Sequence, residues 1–260
     1  MENNENKITA IIKTSNSEAT LYNTLESIKE LDEIYIIDEN STDDTTEIAK
    51  QYKAKIIYSN KGELIPALNQ ATDEAIGDWI FVIKDNEIIP QKLIYEIKKY
   101  TESPKKNKNA INIPLKTIFC DKEIKSASNK KLLRIFKKGT CSYTSNYCIS
   151  LKLDNGKIHS INPNFKIKNG YILSCIENDT VKNFTNILEK NRIDIKTIQK
   201  TNCSIFIKPV LKFLNYYILK RGFLDGRLGY ILSVLKFFEE FTLQLMIMNK
   251  NSKGENNDIR

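Results

Sequence analysis

An α/β fold, a mostly parallel sheet with helices on both faces plus a C-terminal helical appendage, is predicted by three features of this 260-residue sequence. Strand-like β-branched runs alternate with helix-like stretches from residue 8 to residue 101. Those runs end on polar or acidic residues. The last third of the chain carries helical periodicity without interleaved strands.

Ile8 to Thr14 (ITAIIKT) reads as a buried strand, and Ser17 to Glu30 as a helix with Leu21, Leu25 and Ile28 on one side. Glu33 to Asp38 (EIYIID) is a second strand ending on an acid. Ser41-Thr42-Asp43-Asp44 then opens a capped helix with Ile48 and Ala49 inward, Asp43 being the better placed cap. Ala54 to Tyr58, Glu63 to Ile76 and Asp78 to Ile83 continue as strand, helix and strand, followed by a helix near Gln91 to Thr101. Right-handed crossovers between such strands make a parallel sheet, and ligands of such sheets bind beyond the carboxyl ends of the strands. Those ends are Lys13-Thr14, Asp38 and Lys84-Asp85.

Ser103 to Asn109 (SPKKNKN) is an exposed break. Short strand runs follow (Ile111 to Phe119, Leu132 to Phe136, Tyr171 to Cys175), suggesting a smaller mixed or antiparallel region. Helical patterns then occupy about 177–200, 204–220 and 224–248, and residues 251–260 read as a disordered tail. Tyr230 to Met248 nears spanning length, but Lys236, Glu239 and Glu240 at its centre argue against a membrane span. Two readings of these apolar helices stay open. They cover a core or form a homodimer contact, or they make peripheral membrane contact aided by Lys208, Lys212, Lys220 and Arg221.

The net charge of +8 suits an anionic partner, a nucleotide diphosphate or a membrane surface. The lysines are scattered and no helix-turn-helix, zinc-finger or aromatic-basic signature is present, so nucleic acid is not the expected partner. Five cysteines with no CxxC spacing favour a reducing compartment over a disulfide framework. The polar start MENNENK carries no signal-peptide pattern, so a cytoplasmic protein is expected, in contact at most with the inner face of a membrane.

Four segments resemble family-two glycosyltransferases of the GT-A (Rossmann-like) type, and more narrowly the branch containing lipopolysaccharide-core β-glucosyltransferases. They are the stretch from Ile8 to Tyr52, ALNQATDEAIGDWIFVIKDNEIIP, Lys131 to Gly139 (KLLRIFKKG) and Lys220 to Gly229 (KRGFLDGRLG). The resemblance implies a nucleotide-sugar donor, in the first place a UDP-sugar, and a cell-envelope glycan or lipid-linked acceptor. It implies a transferase domain over residues 1–180, with a nucleotide-binding half at 7–102 and an acceptor-side half at 103–180, and a helical region over 181–250. Thr14 and Asn16 match the turn that contacts the base, Asp38 matches the acid facing the uracil ring or ribose, and Asn69 matches a recurrent helical asparagine whose alternative is a surface amide. Arg221 and Asp225 are given no catalytic role: Asp225 is read as a cap of the last helix, and Arg221 as pairing with it or with a lipid phosphate.

The resemblance also implies a divalent cation, Mg2+ or Mn2+, held by two acids at the end of the fourth strand. Here Lys84, Asp85 and Asn86 occupy those positions, so both acids are missing. A slipped register would use Asp85 and Glu87. The His-Glu pair of the branch is replaced by Asn146-Tyr147-Cys148-Ile149-Ser150; the lone His159 sits in a turn-like segment and reads as a solvated loop residue. Two readings follow. In one, Lys84 stabilises the departing diphosphate and Asp85, Glu87 or Asp121 takes the acceptor proton, with inversion at the sugar carbon. In the other, the chain binds a nucleotide, glycan or partner protein without transfer. The sugar-transfer reading expects Thr14, Asp38 and Lys84 to converge on one cavity.

Overall fold

Every residue of the first strand, Ile8–Thr14, is buried, and the N-terminal half is arranged around it. The computed structural model describes residues 7–60, 62–102, 109–119, 122–126, 131–145, 149–161, 167–170 and 204–255. The chain divides into two units, Met1–Ile118 with Asn129–Gly170, and Phe119–Ser128 with Tyr171–Arg260.

The first unit runs β1 (Ile8–Thr14), α1 (Glu18–Ile28), β2 (Glu33–Asp38), α2 (Thr45–Gln51), β3 (Lys55–Tyr58), α3 (Leu64–Glu74), β4 (Trp79–Lys84), β5 (Glu87–Ile88), α4 (Gln91–Glu102) and β6 (Ala110–Phe119). Past a short strand of the second unit, β7 (Lys122–Glu123), it continues with β8 (Lys131–Lys137), β9 (Cys141–Tyr143), β10 (Leu151–Leu153), β11 (Ile158–Ser160) and β12 (Ile167–Gly170). The sheet order is β3-β2-β1-β4-β8-β6-β12-β5. β1 pairs in parallel with β2 and β4, and β2 with β3. Beyond β4 the sheet is mixed: β8 is antiparallel to β4 and β6, while β12 runs parallel to β6. This is the mixed region expected after residue 110.

Alternation along the strands sends two apolar sets to opposite faces. Ile8, Ala10, Ile12, Ile36 and Ile83 pack against α1, Ala49 of α2 and α4. Ile11, Ile37, Ile80 and Val82 pack against Leu64, Ala67, Leu68 and Ala71 of α3 and, through Tyr143, the β9–β10 hairpin. Helices thus cover both faces. The chain steps outward from β1 to β2 and β3 on the α1–α2 face, then returns by α3 on the other face to β4, on the far side of β1. That reversal puts the topological switch point between β1 and β4, and it is beyond the carboxyl ends there that a doubly wound sheet receives its ligand.

In the second unit α5 (Ser204–Leu214) passes into one π-helical turn, Asn215–Leu219, and a 3-10 turn, Gly222–Asp225, leads into α6 (Gly226–Glu255). The sequence places the last helix end at residue 248; the helix instead continues to Glu255, into the stretch expected to be a disordered tail. Among the described residues no helix is long and apolar enough to cross a membrane. The expected strand Tyr171–Cys175 and the helix at 177–200 lie outside the described residues.

Candidate functional site

The carboxyl edge of β1 and β2 is a hydrogen-bonded layer of short polar side chains. Thr14 and Asp38 are cross-strand partners, and the Thr14 hydroxyl donates to Asp38 Oδ1 at 2.9 Å. The Ser41 hydroxyl donates to the same oxygen at 2.6 Å, and the Ser41 N–H donates to Oδ2 at 2.9 Å. Asp38 is 1% exposed. It therefore forms the floor of this edge, with the Ser41 loop folded over it, and not the rim.

Asn16 ties the first loop to the second. It takes a left-handed conformation, φ 49°, which asparagine tolerates better than most residues. Its Oδ1 accepts the Thr42 N–H at 2.9 Å, and its own N–H donates to the Ser41 hydroxyl at 2.9 Å. Asp43 completes the layer as the cap expected from the sequence, and it serves two helices. Its Oδ1 accepts from the Thr45 hydroxyl (2.5 Å) and N–H (3.2 Å), and Oδ2 accepts the Glu18 N–H of α1 at 3.1 Å. Burial pushes its carboxyl up, but these hydrogen bonds outweigh burial and hold it below the ordinary value of 3.8. The stability that Asp43 contributes is therefore complete above that value and is lost as pH falls through the lower folded-state value. Asp43→Ala is expected to cost about 1–2 kcal/mol and to flatten the acid limb of a stability–pH curve measured by urea unfolding.

The end of β4 sends the residues of the two registers to different surroundings. Lys84 follows Ile80 and Val82 on the α3 face, opposite to Thr14 and Asp38, and is exposed. Asp85 turns to the α1 face: the Ser17 hydroxyl donates to its Oδ2, and the Thr24 hydroxyl donates to its carbonyl at 2.9 Å. Asn86 is half-buried beside it. Glu87 is 0% exposed; its Oε1 lies 2.6 Å from Arg134 Nη2 of β8, and its Oε2 accepts the Lys84 N–H at 2.9 Å. Thr14 and Asp38 thus face the α1 side and Lys84 the α3 side of the same carboxyl edge. Side-chain alternation is the reason: Lys84 is level with Lys13, one residue before Thr14. Glu87 as a catalytic acid or base is corrected, because its carboxylate is sealed in an ion pair that holds the strand end.

Other expected positions separate. Asn69 is exposed on α3. His159 is not in a solvated loop but on β11, paired in parallel with β6, its ring stacked 4.3 Å from that of Tyr100. Asp121 and Asn146-Tyr147-Cys148 lie outside the described residues, and Ile149 and Ser150 lie in a turn where the Thr144 N–H donates to the Ser150 carbonyl. Cys141 is free, and burial raises its thiol to about 11.

The described donors at the end of β4 do not suit a divalent cation. At the strand end stand an ammonium (Lys84), one carboxylate already bonded to Ser17 (Asp85), an amide (Asn86) and a carboxylate neutralised by Arg134 (Glu87). Among the described residues no three His, Cys, Asp or Glu side chains gather to hold a metal.

Three further features of this edge are not evident from the sequence alone. Lys13 and Glu39, both largely buried, pair at 2.6 Å beside Asp38. Arg134, whose Nε is buried without a hydrogen-bond partner, could be anticipated only from the charge inside KLLRIFKKG. A polar cleft of about 370 Å3 lies at the turn after β3, lined by Asn40, Tyr58, Ser59, Asn60, Glu63 and Gln70 with Pro66 and Ala67. The Ser59 N–H donates to the Asp38 carbonyl at 2.9 Å, which links the cleft to the same edge.

A doubly wound sheet whose strand beside the switch point ends on a buried carboxylate, Asp38, is a layout that nucleotide-binding α/β proteins use. The chain belongs to glycosyl transferase family 2, whose model matches residues 9–148. It is therefore a sugar transferase by family, with the GT-A fold. It is 26% identical to an uncharacterized glycosyltransferase of Rickettsia typhi over 264 residues, covering 96% of this chain and 89% of that protein. An uncharacterized glycosyltransferase of Rickettsia prowazekii is 24% identical over 263 residues, with 96% and 89% covered. Among solved structures, Staphylococcus aureus TarS 1–349 in complex with UDP is 12% identical, with 95% and 92% of the chains covered and a TM-score of 0.49. Glucosyl-3-phosphoglycerate synthase of Mycobacterium tuberculosis, in complex with Mn2+, UDP and its product, is 19% identical over 44% of each chain, TM-score 0.34. These superpositions score too low to bear on substrate or mechanism.

Proposed function

We propose that this chain transfers a sugar from a UDP-sugar to a cell-envelope glycan or lipid-linked acceptor, inverting the sugar carbon, in the manner of the lipopolysaccharide-core branch. The observation that carries this reading is the Thr14–Asp38 pair across the carboxyl ends of β1 and β2 in a family 2 chain. A carboxylate there accepts the N–H of a uracil ring once the Ser41 hydroxyl rotates off Oδ1. Lys84, exposed at the same edge, supplies positive charge to the diphosphate, and an ammonium neutralises phosphate oxygens without a coordination shell. In the transfer step an acceptor hydroxyl bonds to the sugar carbon, and the bond to the diphosphate oxygen breaks. The electron pair leaves with UDP, and the acceptor proton passes to a base. Asp85 is the base on Asp38's side of the sheet, held by Ser17, just before α1, and by Thr24 of α1.

Calorimetry with UDP, with and without Mn2+, tests this. The expected result is binding that Mn2+ leaves unchanged and that Lys84→Ala weakens about tenfold. Binding that requires Mn2+ and is abolished by Asp85→Ala would overturn the role given to Lys84. The alternative, a chain that binds without transfer, is favoured by the locking of Glu87 onto Arg134. It prevails if UDP binds but UDP-sugars are neither hydrolysed nor transferred.

A further inference from the structure

From the helical hairpin of the second unit we infer a docking surface for an anionic lipid bilayer, formed by the tip that joins α5 to α6. The tip presents apolar side chains to solvent: Leu219 is 76% exposed and Leu224 65%, with Ile218 and Phe223 about half exposed beside them. Along α5 the apolar side chains of Ile207, Val210, Leu211 and Leu214 follow the i, i+3, i+4, i+7 spacing of a single helix face. All four are exposed, so this stripe faces away from the hairpin's own packing.

The tip is built to be rigid. The rings of Phe213, Tyr217, Phe223 and Tyr230 pack on one another with centroids 5.4–6.4 Å apart. Gly229 lies so close to Gly222 that a Cβ at Gly229 would stand 1.9 Å from the Gly222 carbonyl oxygen. Asp225, the tip's one acid, turns inward: its two carboxylate oxygens accept the N–H groups of Lys125 and Ser126, each at 2.9 Å. This fixes its role as an anchor of the turn, in place of the helix cap expected from the sequence.

Cations surround the apolar side chains. Lys220 lies over the Tyr216 ring, 3.7 Å from its centroid, while Arg221 and Arg227 are exposed. Exposed leucines ringed by basic groups match the boundary between acyl chains and anionic headgroups, where the leucines leave water and the cations remain at the phosphates. A second copy of the chain would set the same cations against each other, so charge complementarity selects the bilayer over self-association. The tip is not a membrane span, because no helix among the described residues is apolar enough to cross.

Vesicle flotation of the full chain decides the matter. Phosphatidylcholine vesicles containing phosphatidylglycerol are expected to carry the protein, and high salt is expected to release it. Leu219→Ser with Leu224→Ser should weaken this partition at least about tenfold, with the circular dichroism spectrum and melting temperature unchanged because both side chains are exposed. Lys220→Gln with Arg221→Gln should weaken it about tenfold, and only on vesicles with phosphatidylglycerol. Failure to float, or flotation of the double-leucine variant equal to that of the wild type, overturns the inference. So does a concentration-dependent dimer that the double-leucine variant abolishes, since the apolar tip is then covered by a second copy.

Discussion

Replacing Glu87 with alanine is expected to lower the unfolding free energy by about 3–5 kcal/mol. The Glu87–Arg134 pair is buried, with side-chain exposures of 4% for Arg134 and 0% for Glu87. Removing the carboxylate leaves a guanidinium in the sheet with no counter-charge, and that desolvation is the main cost. The same variant removes the acceptor of the Lys84 N–H, so the end of β4 loosens where the diphosphate is proposed to lie. Glu87→Leu combined with Arg134→Met should recover most of the loss, because similar apolar volume without charge is tolerated in such positions. Urea unfolding followed by circular dichroism measures both. A Glu87→Ala protein as stable as the wild type would show that the pair does not hold the strand end.

Asp38→Ala is expected to weaken UDP binding roughly ten- to a hundredfold, the range for losing one hydrogen bond to a charged group together with its preorganised surroundings. Asp38 joins Thr14 of the first loop to Ser41 of the second, and Ser41 in turn receives the Asn16 N–H. Its loss therefore removes both the acceptor for a base N–H and the contact that closes the two loops. Thr14→Val separates the two effects: it deletes one donor to Asp38 while leaving the carboxylate, and should weaken binding by less than tenfold. Titration calorimetry reads both. Equal losses for the two variants would mean that loop closure, and not the carboxylate, governs affinity.

The parallel half was legible because each of its strands is a β-branched run between helices with regular apolar spacing, so period alone fixed type and order. Strands β1, β2 and β4 begin or end within about a residue of the expected bounds. Asp43 was legible as a cap, although only the fold shows that it also caps α1, which is distant in sequence. The site was read less completely. Alternation along β4 depends on register with β1, and the register puts Lys84 level with Lys13, on the face opposite Asp38. Glu87 looked like a free acid because its partner, Arg134, stands far along the chain on an antiparallel strand that short runs after residue 110 only hinted at. The strand position of His159 is hidden from the sequence for a related reason. The three-residue strand that carries it is created by pairing with β6, a long-range interaction that local composition does not encode.

Where UDP binds on this chain tests the donor-site reading most directly, and a crystal structure of the complex locates it. The uracil ring is expected to hydrogen-bond to Asp38 next to Thr14, with the diphosphate leading towards the end of β4 and within reach of the Lys84 ammonium. A nucleotide confined to the Tyr58–Asn60 cleft, or seated away from the carboxyl ends of β1 and β4, would contradict it.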